Sequence, residues 1–505
     1  MRKFAAIACL LLVFLGIIFR GAWDNWSQIF IFYLSVILFL WYLVYIFARG
    51  QGINFRLLWG WLLFFFCQYF LLNFSQQKYI SSQIVLNYFT ATVILILASS
   101  ADYSFIFQKS FPLPFFFLIY LFLFIGYFTL PKPNFLAAYL VIFSAGLLSL
   151  FRDEEQYLMR IIFLAVNLLI LFFLRSYSSL LAIGLLLLYQ LLIARRRIIA
   201  VSPVIVDVLF FGAIVILAVL LVRKISRPDA INRLMWWKNA WAMFQHYPLT
   251  GVGAGLFERY FVNFHLDGLG TIFVHNYFLE LLAETGLISF SIFFIWLLIL
   301  FWELPSARPF IFATAVFSVF DYGLTISGIQ WAFMFVLGMH IATVTDKRKN
   351  LLSGLLFSIV FLVILANVLP WGGRNFLCDR YLARANYCFT RRQSPPCRSQ
   401  KFCCLKAENY LQRASNLAPD DSRIFTMRAM CLQIAGKYSR GKERQWFWTR
   451  ALKNQQQACV YEGNLSSNWY YLYQLSLLTR NRKLTKLASR RCLQLAPASN
   501  PLIKH

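Results

Sequence analysis

The chain has 505 residues, of which 60% are hydrophobic, 19% aromatic and only 13% charged. Soluble domains are nearer half apolar and a quarter charged, so these values exclude an ordinary soluble enzyme and a disordered chain. They predict an all-α, polytopic membrane helix bundle, yet 48 Lys plus Arg stand against 20 Asp plus Glu, a formal charge of +28 that has to be placed.

A spanning helix needs about 20 mostly apolar residues. In chain order the candidates are 4–19, 27–48, 55–74, 82–99, 111–130, 135–151, 157–174, 177–194, 201–223, 286–303, 309–325, 328–345 and 351–371, which gives 12–13 spans. The polar group Asp321-Tyr322-Gly323 reads as a turn or a bundle-facing kink between the two spans that flank it. The opening Met-Arg-Lys and its apolar run resemble a signal peptide, but the many spans that follow favour a first membrane helix.

Positively charged loops prefer the cytoplasm. With the N-terminus inside, Arg49, Arg56, Lys109, Arg152, Arg195 to Arg197, Arg308 and Lys347 to Lys349 mark the inner side, while the short outer loops carry few charges. This orientation sets two large segments outside, the loop 224–285 and everything after 371. It predicts a multi-pass membrane protein with an extracytoplasmic loop and tail.

The tail, 372–505, carries 24 Lys plus Arg against 6 Asp plus Glu and eight of the ten cysteines: Cys378, Cys388, Cys397, Cys403, Cys404, Cys431, Cys459 and Cys492. Disulfides are expected there in preference to zinc, because no C-x-x-C pair or nearby His accompanies the cysteines. Ala407, Ala414 and Pro419, with Gly436 and Tyr438 after them, resemble a tetratricopeptide repeat, where small residues allow close helix packing and Pro ends the second helix. The expected division is a membrane domain 1–371 and a basic, cysteine-rich, tetratricopeptide-like domain 372–505.

The densest polar cluster of the membrane half lies in 227–290. Helical spacing over 231–246 puts Arg233, Trp237 and Trp241 on one face. An Arg beside indole rings suits a phosphate and a sugar, and equally suits an interfacial helix. Gly251, Gly253 and Gly255 follow Pro248. They lack the strand before and the Lys-Ser/Thr after that a nucleotide loop requires, so they read as weak evidence for phosphate or as a flexible turn. A second helix is expected over 275–284, opened by His275 and Asn276 and bearing Glu280 and Glu284. Three of the five histidines, His246, His265 and His275, fall in this loop. An imidazole at the membrane boundary is a candidate general base, with a nearby carboxylate to orient it.

Arg233, Trp237, Ala240, Pro248, Gly251, Gly253, Gly255 and Phe257, followed by His275, Asn276, Leu279, Glu280, Glu284, Gly286 and Leu287, form a pattern that resembles the O-antigen ligase and polymerase family of bacterial envelopes. The resemblance implies metal-independent, cofactor-free transfer of a glycan from undecaprenyl pyrophosphate to an acceptor hydroxyl. It implies Arg233 as pyrophosphate ligand and His275 as base, with Trp237, Asn276 and Glu280 in the substrate site. The family's outer arginine, usually in a Ser-Arg pair, corresponds to Arg175, which here precedes Ser176. Apart from the family, two guanidinium groups can neutralise a departing pyrophosphate, and no D-x-D stands in the outer segments to hold a metal.

The resemblance leaves three acceptors open: lipid A core for a ligase, another lipid-linked glycan for a polymerase, or a protein hydroxyl for an oligosaccharyltransferase. The basic tail favours an anionic acceptor or the membrane lipids, repeat-type helices favour a protein partner, and a nucleic-acid partner is not expected. A lipid or solute transporter is the competing class. It would place charges at the midplane of its spans, and here only Arg160, Asp207 and Asp321 are of that kind.

Overall fold

The computed structural model describes residues 2–22, 24–48, 57–103, 120–121, 124–130, 132–150, 157–197, 212, 228–261, 263–264, 271–344, 351–390 and 400–495. Among them there is helix and no strand. The membrane half contains α1 (Arg2–Ile18), α2 (Asn25–Ala48), α3 (Trp59–Leu71), α4 (Lys78–Ser100), α5 (Pro133–Leu150), α6 (Tyr157–Phe173) and α7 (Tyr177–Arg197). After these come α8 (Pro228–His246), the short α9 (Phe257–Phe261), α10 (Tyr277–Glu303), α11 (Arg308–Phe320) and α12 (Ser327–Val344). Five described helices are long and apolar enough to cross a membrane, and six apolar stretches of 10–17 residues accompany them. The expected span 201–223 and most of 111–130 lie outside the described residues. The protein is a multi-pass helical membrane bundle.

Helices α4 and α12 form its centre and are buried along most of their length. Small residues bring them together. A Cβ at Gly338 would lie 2.5 Å from Ala98 Cβ, and one at Gly146 of α5 would lie 2.2 Å from a Val336 methyl. Such sites pack helices in lipid, where apolar surface alone gives little drive to associate. Buried indoles find acceptors: Trp61 Nε1 donates to Thr92 Oγ1 at 2.8 Å, and Trp296 Nε1 to Leu57 O at 2.9 Å. Val44, Leu63, Phe173 and Trp302 instead point outward, an apolar belt that a soluble protein would not tolerate.

Helix α13 (Leu351–Thr390) has 40 residues and runs straight through position 371, so the expected division falls inside a continuous helix. At 1.5 Å per residue it is about 60 Å long, roughly twice the hydrocarbon thickness. Its second half therefore carries the tail beyond the bilayer. There α14 (Gln400–Leu417), α15 (Ser422–Lys437), α16 (Gly441–Tyr461), α17 (Ser466–Leu478) and α18 (Arg482–Leu495) pack each on the next. Ala407 and Ala414 are fully buried at the α14 seam. The cysteines serve the same packing. Cys403 is disulfide-bonded, whereas Cys378, Cys404, Cys431, Cys459 and Cys492 are buried thiols in the helix interfaces. The expected disulfide framework is thus reduced, among the described residues, to one bonded cysteine. Cys397 lies outside them.

Candidate functional site

In the described part of the loop between α7 and α10, α8 and α9 pack against α10. Helix α8 covers the predicted 231–246 and starts three residues earlier. The second predicted helix begins later than expected: His275 precedes it in the left-handed region (φ 58°), and Asn276 is the N-cap, its side chain accepting from Leu279 N at 3.0 Å. The helix breaks at Gly286 (φ 71°), so Tyr277–Thr285 and the span that follows differ in direction.

A non-glycine residue at positive φ is held there by its surroundings. Glu280 supplies one restraint: it is buried and turns back to accept from Val274 N at 2.9 Å, fixing the backbone just before His275. Two rings supply the others. Trp236 stacks on the imidazole with centroids 5.2 Å apart, and Tyr322 meets it edge-on at 4.7 Å. Phe273 stacks on Tyr322 at 4.1 Å, and Lys132 lies over both rings at 5.9 and 5.8 Å. The half-buried His275 side chain is therefore clamped but reachable.

The α11–α12 turn joins this cluster to two further elements. Arg233 Nη1 donates to Phe320 O at 2.7 Å. The Asp321 carboxylate accepts from Ser178 Oγ at 2.9 Å and from Tyr322 N at 2.8 Å, while its carbonyl accepts from Tyr277 N at 3.2 Å. Asp321 thus ties the starts of α7 and α10 to the ring clamp. Asp321-Tyr322-Gly323 is a turn between two helices, one of the two alternatives the sequence left open.

Other expected residues sit differently. Arg175 is exposed at the α6–α7 corner with φ 54°, three residues before Ser178. Trp237 packs on an apolar cluster that includes Val252, Phe257 and Val274, with its Nε1–H lacking an acceptor among the described residues. Trp241 is exposed against Phe244, one turn beyond Trp237 on the same helix. His246 packs against Tyr247 and Phe264, and His265 lies outside the described residues, so the histidine-rich loop brings one described imidazole to the cluster.

The glycine-rich segment is neither a flexible turn nor an open phosphate cradle, because its amides are already engaged. Glu284, buried, accepts from Gly255 N at 2.8 Å and Phe257 N at 2.9 Å, capping α9. Val252 N and Gly253 N donate to the carbonyls of Ala283 and Glu284 at 3.2 and 2.8 Å. A Cβ at Gly251 would lie 2.2 Å from Glu284 O, and one at Gly286 2.2 Å from Leu249 O. The glycines permit this backbone-to-backbone seam. Beneath it a cavity of about 40 Å³ is lined by Asn87, Tyr88, Tyr277, Glu280, Glu284 and Gln330.

Sequence reasoning missed Trp236, Phe273 and Lys132. It had noted Asp321 and Tyr322 without joining them to the loop. Their one local signal is a polar trio interrupting an apolar stretch.

No curated protein and no solved structure matches this chain. A family model described as O-antigen ligase matches residues 162–294, which run from α6 through the His275 clamp and into α10. Over that stretch, about a quarter of the chain, the protein is similar to the O-antigen ligase family, which supports a membrane glycosyltransferase of the ligase and polymerase type.

Proposed function

We propose that the protein transfers a glycan from undecaprenyl pyrophosphate to an acceptor hydroxyl at the outer face of a bacterial inner membrane. His275 is the base: it takes the proton of the attacking hydroxyl as that oxygen bonds to the anomeric carbon. The bond from that carbon to the pyrophosphate oxygen breaks, and undecaprenyl pyrophosphate leaves. Arg233, and Arg175 at the neighbouring corner, balance the charge that develops on the pyrophosphate. The ligase reading, with lipid A core as acceptor, is the one the matched family's description favours.

The observation that carries this reading is the His275 clamp. A histidine that merely fills a core needs no strained backbone. This one is held at positive φ by Glu280 and two rings, and its side chain is only half-buried. Asn276 and Glu280 act as positioning residues, because both bond to backbone around His275. Trp237, whose indole N–H is buried, packs on the apolar cluster of the loop and is assigned a supporting role. The tail, which we read as tetratricopeptide-like, is assigned to a protein partner.

His275→Ala and Arg233→Ala are each expected to abolish transfer, while protein level and topology stay normal. The readout is accumulation of unligated lipid-linked glycan in cells. Full transfer by either variant would rule out its assigned role.

A further inference from the structure

A groove opens where the membrane bundle meets the tail, with none of the His275 cluster in its lining. The α3–α4 turn forms one wall, the stretch of α13 from Trp371 to Asn375 the second, and the α14–α15 turn the third. It encloses about 420 Å³, within the usual range for a small-molecule site. Hydrogen bonds across the joints fix its walls. Asn375 Nδ2 donates to Ser82 Oγ at 3.0 Å, Gln77 Nε2 to Asp420 O at 3.0 Å, and Arg374 Nη2 to Leu417 O at 2.7 Å.

Two cations line this groove, Lys78 and Arg374, with one carboxylate, Asp420. None of the three forms an ion pair among the described residues. The bond to Leu417 uses one of the five N–H donors of the Arg374 fork. Trp371 lies in the same lining, stacked on Tyr69 with centroids 5.8 Å apart. Beside the groove, Phe74 and Leu369 expose apolar side chains. Lysine and arginine at a membrane boundary commonly just extend into water. Here they converge instead on a walled cavity with an aromatic side and an apolar rim.

We propose that this groove binds a phosphate group presented by an amphiphile at the membrane surface. Lys78 and Arg374 take the phosphate oxygens, Asp420 accepts from a neighbouring ammonium or hydroxyl, and the apolar part lies along Trp371 and the rim. An ammonium-bearing phospholipid headgroup and a phosphorylated amino sugar share this chemistry. The site is separate from the glycan-transfer reading, since binding is measured with no donor present.

The test uses the full-length chain, delipidated and offered either phosphatidylethanolamine in nanodiscs or soluble glucosamine 1-phosphate, with bound ligand read by native mass spectrometry. Retention of phosphatidylethanolamine alone identifies a lipid site, and binding of glucosamine 1-phosphate alone identifies a sugar-phosphate site. Binding of neither by the wild-type chain overturns the proposal without recourse to any variant. The pair Lys78→Gln and Arg374→Gln is expected to lower occupancy at least tenfold, with normal thermal unfolding. Unchanged occupancy in that folded variant also overturns it. Asp420→Asn is expected to reduce the preference for phosphatidylethanolamine over phosphatidic acid by threefold or more, and an unaltered preference removes Asp420 from the site.

Discussion

The guanidinium of Arg259, on α9, is buried against the carboxylate of Glu462 at the end of α16, with Nε donating to Oε2 at 2.7 Å. Ser422 joins the same pair, and burial beside Glu462 holds the Tyr260 phenol above its ordinary range. Ser466 N donates to Asn263 Oδ1 at 3.1 Å alongside. The tail therefore grips α9, whose other end is capped by Glu284 of α10. Through α9 the tail touches the helix that follows His275.

Removing one partner of that pair leaves a buried charge uncompensated, a loss of about 3–5 kcal/mol. Arg259→Ala and Glu462→Ala are each expected to loosen the tail, seen as a new site for limited proteolysis near α9, and to lower transfer at least tenfold. The double variant is expected to be less damaged than the sum of the two. Strict additivity in this cycle would show that the pair is not coupled.

Glu284 satisfies two backbone amides, and an amide side chain in its place has a single acceptor oxygen. Glu284→Gln is expected to destabilise the loop by about 1–3 kcal/mol, the cost of one orphaned buried N–H. Gly251→Ala is expected to be worse, because its Cβ meets backbone at 2.2 Å and its φ is 67°. Thermal unfolding of purified protein checks both, and a wild-type melting temperature for Gly251→Ala would contradict the seam.

Trp236 and Trp237 both pack on the apolar cluster beside α8, and Trp236 in addition stacks on His275. Trp236→Ala is expected to cut kcat about tenfold or more and Trp236→Phe to restore most of it, because stacking needs only a ring. Trp237→Ala is expected to act on stability and KM. Equal kcat losses from both alanine variants would argue against the clamp.

The tail thiols are expected to resist alkylation in the folded chain. Burial pushes the Cys459 thiol up to about 12, so little thiolate is present at pH 8. Denaturation without reduction is expected to release Cys378, Cys404, Cys431, Cys459 and Cys492 for labelling and to leave Cys403 protected. Mass mapping of the alkylated peptides decides the point, and a labelled Cys403 would refute its disulfide.

Much of the architecture was legible because helix and span signals are local. Apolar length located most described spans, although the helices expected at 286–303 and 351–371 extend to Tyr277–Glu303 and Leu351–Thr390, and helical spacing located α8. The charge count separated a basic tail from a sparsely charged bundle, which moved most of the +28 off the membrane. The site was legible only in part. Arg233, His275 and Glu280 stood out as candidates, but the contacts that hold this region come from far along the chain: Arg233 meets Phe320 87 residues away, Ser178 meets Asp321 across 143, and Arg259 meets Glu462 across 203. Periodicity reports which face of a helix is apolar, not which other helix will cover it. That choice is made by packing at close contacts such as Gly338 on Ala98 and by the need to satisfy each buried polar group. The sequence by itself determined a membrane bundle with a basic helical tail, and it singled out the loop to which the chemistry is assigned as a proposal. Only the tertiary structure decided that the glycines form a seam on Glu284, that Trp236 and not Trp237 faces His275, and that the tail holds the loop.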